Sequence, residues 1–298
     1  MRLLMKTRIC CILLSLLAAC ITGAGLWAMY RAVQPETAEQ NVVLRLATCT
    51  NEHHPNTETA HYFAQLVQQK TNGQVHIQVI GNGDLGDEKA SVEQLEFGGI
   101  AFSLVNCFAL SDEGLAVNEN GLKPNREKLN ANRVEVLATL APDKRGLASG
   151  EAMPQTISAR KEIRIGAYPS KILWNTLQSL GFSVLSSSGE DMIGSIHYGY
   201  VDSIELPLLT YATEAYAQAL PVLSLYDGPI SPDILLVSQV SLGNLPTEQQ
   251  QIIRECALEA AEYQQRILKQ KQEESLSKLR KQGVRVLELD RAGKDQKG

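Results

Sequence analysis

The chain has 298 residues, of which 44% are hydrophobic and 20% are charged, and its formal net charge is −5. This composition is typical of a globular protein that is long enough for one large domain or two lobes, and it excludes collagenous and disordered chains. The acidic balance, with no stripe rich in lysine and arginine, disfavours nucleic-acid binding. Because an acidic protein that binds an anion must concentrate positive charge locally, its single arginines are of interest.

Residues 1–30 have the pattern of a targeting segment. A basic start, MRLLMKTR, precedes the run ICCILLSLLAAC, which has the length of a signal-peptide apolar region. The string LAAC, which ends at Cys20, is similar to a bacterial lipobox and makes this cysteine a candidate lipidation site. Apolar residues continue to Tyr30, so an uncleaved membrane anchor is the alternative. Either leader, followed by the linker 31–41, predicts a body attached to the membrane by its N-terminus, in the periplasm or on the outer face of the cell membrane.

The body repeats one supersecondary plan. The strands VVLRLATC, VHIQVIG and IAFSLVNC alternate with helical segments in the first half, and KEIRIGAY, FSVLS and VDSIELP do so in residues 161–207. The helix SKILWNTLQSLG reaches Gly181, which suits a left-handed C-cap. Crossovers of this length imply parallel strands. Two such units predict two lobes with a cleft between their strand ends, lobe 1 mainly in 42–137 and lobe 2 mainly in 138–230.

The C-terminal part contains a return strand and a long helix. In residues 231–288, the strand DILLVSQVSL returns to the other lobe, and a helix that starts in LPTEQQQII is long enough to brace both lobes. Residues 289–298 are a polar tail. The predicted fold class is therefore α/β with two lobes, each a mostly parallel sheet flanked by helices, and a long C-terminal bracing helix.

Two cysteines of the body end predicted strands of the first lobe. Cys49 follows the first strand and Cys107 the third, and these strands are neighbours in a sheet of this type. Export permits a disulfide between them. The alternative is two buried free thiols. It is favoured because free cysteine prefers the protein interior.

Several motifs of catalysis or cofactor binding are absent or lie in the wrong context. GNGDLG, with Gly81, Gly83 and Gly86, matches a dinucleotide fingerprint, but it follows the second strand and no acidic residue closes the next one, so it predicts a tight turn. The loop histidines His53 and His54 lack the spacing of metal ligands. There is no G-x-S-x-G and no C-x-x-C. The sequence therefore predicts neither an enzyme nor a bound metal or cofactor.

The arginines are better candidates for a binding site than the motifs above. The planar guanidinium of arginine makes two charge-assisted hydrogen bonds with a carboxylate, which lysine does not reproduce. Arg164 lies in the strand KEIRIGAY and Glu205 in VDSIELP, so both are expected at one mouth of the sheet, where ligands of open α/β sheets bind. Arg145 stands nineteen positions before Arg164. A solvated edge charge, or an ion pair of Arg164 with Glu205, is the purely structural alternative.

Five strings occur in a familiar order over nearly all of the mature body. They are KTNGQVHIQVIGNGDLGDEKASVEQLEFGGIAF, EIRIGAYPS, LGFSVL, GYVDSIELP and LPTEQQQII. Together they resemble the extracytoplasmic solute-binding proteins of TRAP (tripartite ATP-independent periplasmic) transporters, which carry organic acids. The resemblance implies a periplasmic-binding-protein-like fold with a hinge, closure on a ligand that bears a carboxylate, and transporter membrane subunits as partners.

The resemblance also implies roles for particular residues. Arg164 stands at the position of the family's carboxylate-binding arginine, and Arg145 at that of a supporting arginine. After Glu205 this chain has Leu206 where the family usually has asparagine, which removes one polar contact with the ligand.

The expected function is capture of a small organic acid outside the cell for delivery to TRAP membrane subunits. Asn51 and Asn106, at strand ends, are expected to shape the first lobe's side of the site. The alternative, motivated by Leu206 and by the stretch from Leu110 to Arg133, which is short for the family, is a membrane-anchored sensory or interaction protein that keeps the binding fold without transport.

Overall fold

The structure, a computed structural model, describes residues 41–118, 121–154, 156–187, 192–212, 214–226 and 231–289. The predictions for the leader, including lipidation of Cys20 and the alternative of an anchor, lie outside the described residues, as does the tail beyond 289. The described residues from Val43 onward belong to one compact unit. Within the described ranges, none of the helices is both long and apolar enough to cross a bilayer.

Strands and helices alternate along most of the chain. The strands are β1 (Val42–Thr48), β2 (Val75–Ile80), β3 (Phe102–Asn106), β4 (Leu115–Asn118), β5 (Gly121–Pro124), β6 (Val134–Thr139), β7 (Arg145–Ser149), β8 (Arg164–Ala167), β9 (Ser183–Ser186), β10 (Ser203–Pro207), β11 (Val222–Leu225), β12 (Asp233–Ser238) and β13 (Arg285–Glu288). The α-helices are α1 (Pro55–Lys70), α2 (Glu88–Glu96), α3 (Arg126–Ala131), α4 (Ile157–Arg160), α5 (Lys171–Ser179), α6 (Met192–His197), α7 (Leu208–Tyr211), α8 (Glu214–Ala219), α9 (Gln239–Gly243) and α10 (Thr247–Lys281).

The described strands form two main sheets and one small hairpin. The first sheet has the order β2-β1-β3-β12-β6, the second β13-β11-β7-β10-β8-β9, and β4 pairs with β5. The expected two-lobed α/β fold is confirmed. Both sheets are mixed, however, because β12 runs antiparallel to its neighbours β3 and β6, and β7 runs antiparallel to β10 and β11.

The chain passes between the two sheets more than once. It leaves the first sheet after β6 and enters the second at β7, and it returns after β11 to form β12. The helix α10 then packs against α1 and β6 of the first lobe and against α7 and β13 of the second. The long bracing helix is confirmed, while the lobe boundaries given from the sequence remain a prediction.

Each lobe buries its own apolar side chains, as alternating strands and amphipathic helices require. A cluster in the first lobe joins Leu95 of α2 with Val136 of β6 and Leu236 of β12. A cluster in the second joins Ile165 of β8 with Leu173 of α5. The same cluster includes Phe108 and Leu122 from the first half of the chain, so the two lobes also share apolar contacts.

Gly181 ends α5 in the left-handed conformation that its sequence position predicts. Its φ is +96°, and a Cβ added there would lie 2.8 Å from the carbonyl oxygen of Ile157. We expect Gly181→Ala to lower the free energy of unfolding by about 2–4 kcal/mol, because left-handed strain adds to a clash with backbone. Urea unfolding measures this loss.

Gly243→Ala is the matched control, since an added Cβ there meets no atom within 4 Å. We expect it to change the stability by less than about 1 kcal/mol, as for an ordinary helical glycine. Equal losses in the two variants would contradict the importance of the turn at Gly181.

Candidate ligand-binding cavity

A cavity of about 320 Å³ lies between the edges of the two sheets. On the side of the first lobe it is lined by Cys49, Thr50, His54, Asn56, Glu88, Asn106, Phe108, Ser231 and Asp233. The remaining lining residues are Asp143, Arg145, Tyr168, Met192, Glu205, Leu206, Pro207, Thr210 and Tyr216. Thr50, Asn106 and Tyr168 follow or end parallel strands, so the cavity lies where ligands of open α/β sheets bind.

Arg145 is held on the second lobe's wall by a bidentate ion pair. Its Nε and Nη2 donate to Oε1 and Oε2 of Glu205 at 2.6 and 2.7 Å. The Tyr226 hydroxyl donates to the same Oε1 at 2.7 Å, and the guanidinium carbon lies 5.2 Å from the centre of the Phe108 ring. Burial opposes the charge of Arg145, but the Glu205 carboxylate outweighs it and raises the pKa of Arg145. The guanidinium is therefore charged and fixed in place, and its Nη1 is not used by Glu205.

Two acidic side chains, Glu88 and Asp233, lie in the first lobe's wall. Asp233 accepts hydrogen bonds at 2.9 Å from the side-chain amides of both Asn56 and Asn106. Glu88 Oε1 accepts one from the backbone N–H of Asn106 at 3.2 Å. Burial, with the charge of Asp233 nearby, raises the pKa of Glu88 to about 8.

A further carboxyl lies where the chain passes between the sheets. Asp143 accepts hydrogen bonds from the backbone N–H of Leu209 at 2.9 Å and from Nε2 of Gln272 at 2.8 Å. Burial raises the pKa of Asp143 to about 6.

His54 caps α1 by accepting a hydrogen bond from the backbone N–H of Asn56, and burial lowers its pKa to about 4. The imidazole is thus neutral at pH 7.

The structure brings four of the predicted ligand-binding residues to the cavity. They are Arg145, Glu205, Leu206 and Asn106. Asn51 is exposed and accepts a hydrogen bond from the backbone N–H of His53, while its neighbour Thr50 lines the cavity.

Arg164 lies away from this cavity. It is the first residue of β8, which runs parallel to β10, so it stands at the amino edge of these strands, opposite the mouth. Its Nε and Nη2 donate to Asp202 at 3.0 and 2.8 Å, and its side chain is 43% exposed. The expected meeting of Arg164 and Glu205 is therefore corrected, because Glu205 pairs with Arg145 instead.

No motif or spacing in the sequence distinguishes Asn56, Glu88, Asp143 or Asp233 as site residues. Asp233 and Glu88 each lie at the start of a predicted strand or helix, where polar residues are usually turn or capping residues. Asp233 lies opposite Asn106, at the edge that faces the cavity, because β12 pairs antiparallel with β3.

The described cysteines Cys49, Cys107 and Cys256 are free thiols, so Cys49 and Cys107 do not form a disulfide in the structure. Burial raises the pKa of both Cys49 and Cys107 to about 12. We expect less than about one tenth of each thiol to react with iodoacetamide at pH 8 in the time that the unfolded chain reacts fully, because the thiolate is the nucleophile. Mass spectrometry of labelled peptides measures this, and recovery of a peptide pair linked through Cys49 and Cys107 would contradict it.

Among the described residues, no group of three or more histidine, cysteine, aspartate and glutamate side chains is arranged to hold a metal ion. The cavity instead combines one fixed guanidinium, several carboxyls and the side-chain amides of two asparagines. Such a wall suits recognition of a small polar molecule by hydrogen bonds and charge.

The family model described as "Bacterial extracellular solute-binding protein, family 7" matches residues 46–113 and 125–296. The chain belongs to this family. The resemblance to the solute-binding proteins of TRAP transporters is thereby confirmed. Its family is one of solute-binding proteins and not of enzymes.

Curated relatives of this family 7 protein are distant. A "Solute-binding protein" from Chromohalobacter salexigens is 22% identical over 293 residues, which cover 92% of this chain and 87% of the relative. The "Uncharacterized protein YiiZ" from Salmonella typhimurium is 25% identical over 239 residues, which cover 74% and 72%.

Solved structures share the fold of this family 7 protein. A TRAP periplasmic solute-binding protein from Citrobacter koseri, with bound D-glucuronate, has a TM-score of 0.76 and 22% identity over 85% of this chain and 91% of its own. One from Sulfitobacter, with bound β-D-galacturonate, has a TM-score of 0.76 and 19% identity over 84% and 90%.

Proposed function

We propose that this family 7 protein is the extracytoplasmic solute-binding component of a TRAP transporter. It captures a small organic acid in the cavity between its lobes and delivers it to the transporter's membrane subunits. The observation that carries this proposal is Arg145, a charged guanidinium fixed at the cavity wall with its Nη1 outside the pair with Glu205. The uronates in the similar structures support an acid as ligand.

Arg145 binds the ligand's carboxylate in this proposal. A guanidinium that is already oriented by Glu205 and by the Phe108 ring loses little conformational freedom when the ligand arrives, which favours tight binding. Leu206, which also lines the cavity, contributes no hydrogen bond from its side chain. The volume of about 320 Å³ limits the ligand to a small molecule. Closure of the lobes then removes water from the pair of charges and strengthens it.

The leader keeps the body outside the cytoplasm in this proposal, through a lipid on Cys20 or through an uncleaved anchor. Metabolic labelling with a palmitate analogue distinguishes the two. Label that disappears in Cys20→Ser supports the lipoprotein, whereas an unlabelled chain that retains residues 1–30 in its intact mass supports the anchor.

Calorimetric titration of the full-length protein in detergent with small organic acids tests ligand capture. We expect at least one acid to bind with a micromolar or lower Kd, and failure of the whole panel would contradict the proposal. Uptake of the bound acid into vesicles that contain the transporter's membrane subunits tests delivery. Binding without such uptake would favour the alternative, an anchored sensory or interaction protein that keeps the binding fold.

A further inference from the structure

We propose that the ligand is a zwitterion of the amino-acid class, with a cationic nitrogen that the first lobe recognises through Glu88, Asp233 and Asn56. This inference rests on the proposed function, because Arg145 still binds the ligand's carboxylate. The charge of the cavity, an unpartnered oxygen atom and the division of charge between the lobes support it.

The charge of the cavity is unfavourable for a simple anion. Of the described residues that line it, four are carboxylic acids and Arg145 is the one permanent cation. They are Glu88, Asp143, Glu205 and Asp233. Glu205 already compensates the charge of Arg145. The short internal segments outside the described ranges contain no lysine, arginine or histidine, so they bring no further cation. A ligand with only negative charge would meet four acidic side chains and a guanidinium that is already paired with one of them, in a partly desolvated site.

Asn56 is an independent sign of a ligand. Its Nδ2 donates to Asp233 Oδ2 at 2.9 Å, which leaves its Oδ1 to accept a further hydrogen bond. The residue is only 5% exposed, and among the described residues its Oδ1 has no hydrogen-bond partner. A buried acceptor without a donor is costly. A ligand N–H provides that donor at the cavity wall, beside the acids that compensate a positive charge.

In this proposal the two lobes thus bind groups of opposite charge in the ligand. The second lobe supplies Arg145 for a carboxylate, and the first supplies Glu88, Asp233 and the free oxygen of Asn56 for an ammonium group. Asn106 contacts both Glu88 and Asp233, and Phe108, two residues further along the chain, packs its ring against the Arg145 guanidinium. The carboxylate and the ammonium group therefore stand close together in the ligand, as in an α- or β-amino acid.

Glu88 links this recognition to pH. Its pKa of about 8 means that the carboxyl is protonated at neutral pH in the free protein. A cation bound beside it lowers that pKa and expels the proton, so affinity for the zwitterion rises with pH up to about 8. The charged or titratable groups that act with Glu88 are Asp87 on its own helix, Asp233, Arg145, Cys49, Cys107 and Tyr168.

Matched pairs of ligands test the proposal by calorimetry at pH 8 on the full-length protein. The pairs are aspartate with succinate, glutamate with glutarate and β-alanine with propionate, and D-glucuronate is added. We expect the tightest amino acid to bind at least about tenfold more tightly than its deaminated partner, the scale of one desolvated charge contact. Below pH 8, titrations in buffers of different ionisation enthalpy should reveal proton release on binding.

Glu88→Gln keeps the shape of the side chain and removes its charge. We expect it to reduce the preference for the amino acid to within about threefold and to abolish the proton release. Glu93→Gln, at an exposed position of the same helix, is the control and should leave both unchanged.

The outcomes separate this inference from the proposed function. Binding of succinate, glutarate or D-glucuronate as tight as that of the amino acids would overturn the zwitterion and leave the capture of an organic acid standing. Failure of every acid, with or without an amine, would overturn both. An amino-acid preference that persists in Glu88→Gln would remove Glu88 from the recognition.

Discussion

Arg145→Gln is expected to weaken binding of a carboxylate ligand by at least about 100-fold, the lower part of the range for losing one partner of a buried charge pair. The substitution removes the guanidinium that Glu205 and Tyr226 hold at the cavity wall. Calorimetry with the tightest acid found for the unmodified protein measures the loss.

The same substitution also leaves Glu205 without its cation, and the side chain of Glu205 is fully buried. We expect a stability loss of about 3–5 kcal/mol from this uncompensated charge. The double variant Arg145→Gln/Glu205→Gln removes both charges and should recover most of that loss without recovering ligand binding. This difference separates the binding role of Arg145 from its structural role.

Two other arginines complete this experiment. Arg254 makes a comparable bidentate pair with Glu135 at 2.8 and 3.0 Å, outside the cavity, so Arg254→Gln is the matched control and should keep full affinity. Arg164→Gln tests the role that the family resemblance implies for Arg164. Affinity that is lost in Arg164→Gln but kept in the Arg145→Gln/Glu205→Gln double variant would reverse the assignment made from the cavity.

Glu88→Gln is expected to change how stability depends on pH. The pKa of Glu88 is about 8 in the folded protein, against an ordinary value of 4.5. Between these values the folded state binds a proton that the unfolded state releases, so the contribution of Glu88 to stability falls as pH rises from about 4.5 to about 8. The variant does not have this loss. Its stability relative to the unmodified protein should therefore increase between pH 5 and pH 8, on the order of a few kcal/mol.

Urea unfolding of both proteins without ligand at pH 5, 6.5 and 8 measures this difference. Glu93→Gln provides the comparison on the same helix and should shift stability equally at the three pH values. Parallel pH profiles for Glu88→Gln and the unmodified protein would show that the Glu88 carboxyl titrates as it does in water, and would remove the basis for its proton release on ligand binding.

Much of the architecture follows from local pattern. Alternating strands, the apolar stripes of the helices and the left-handed turn at Gly181 are properties of short segments, so the two lobes and the long α10 are predictable from them. The edge at which a ligand binds follows from the same reasoning, because strand ends meet there. Asn106, which ends β3, lies at the cavity for this reason.

Strand direction, by contrast, depends on tertiary structure. Arg145 and Arg164 each begin a strand of the second sheet, and the spacing in the sequence does not distinguish them. Because β7 runs antiparallel to β10 whereas β8 runs parallel to it, the first residue of β7 lies at the mouth and the first residue of β8 at the opposite edge.

The same reason explains the acidic wall of the first lobe. Asp233 begins β12, whose antiparallel pairing with β3 puts it opposite Asn106 and within hydrogen-bond distance of Asn56, 177 positions earlier in the chain. The residue types and the two-lobed plan were thus determined by the sequence itself. Which charges share the cavity was decided by long-range strand pairing, since a side chain at the end of a strand changes edges when the strand reverses.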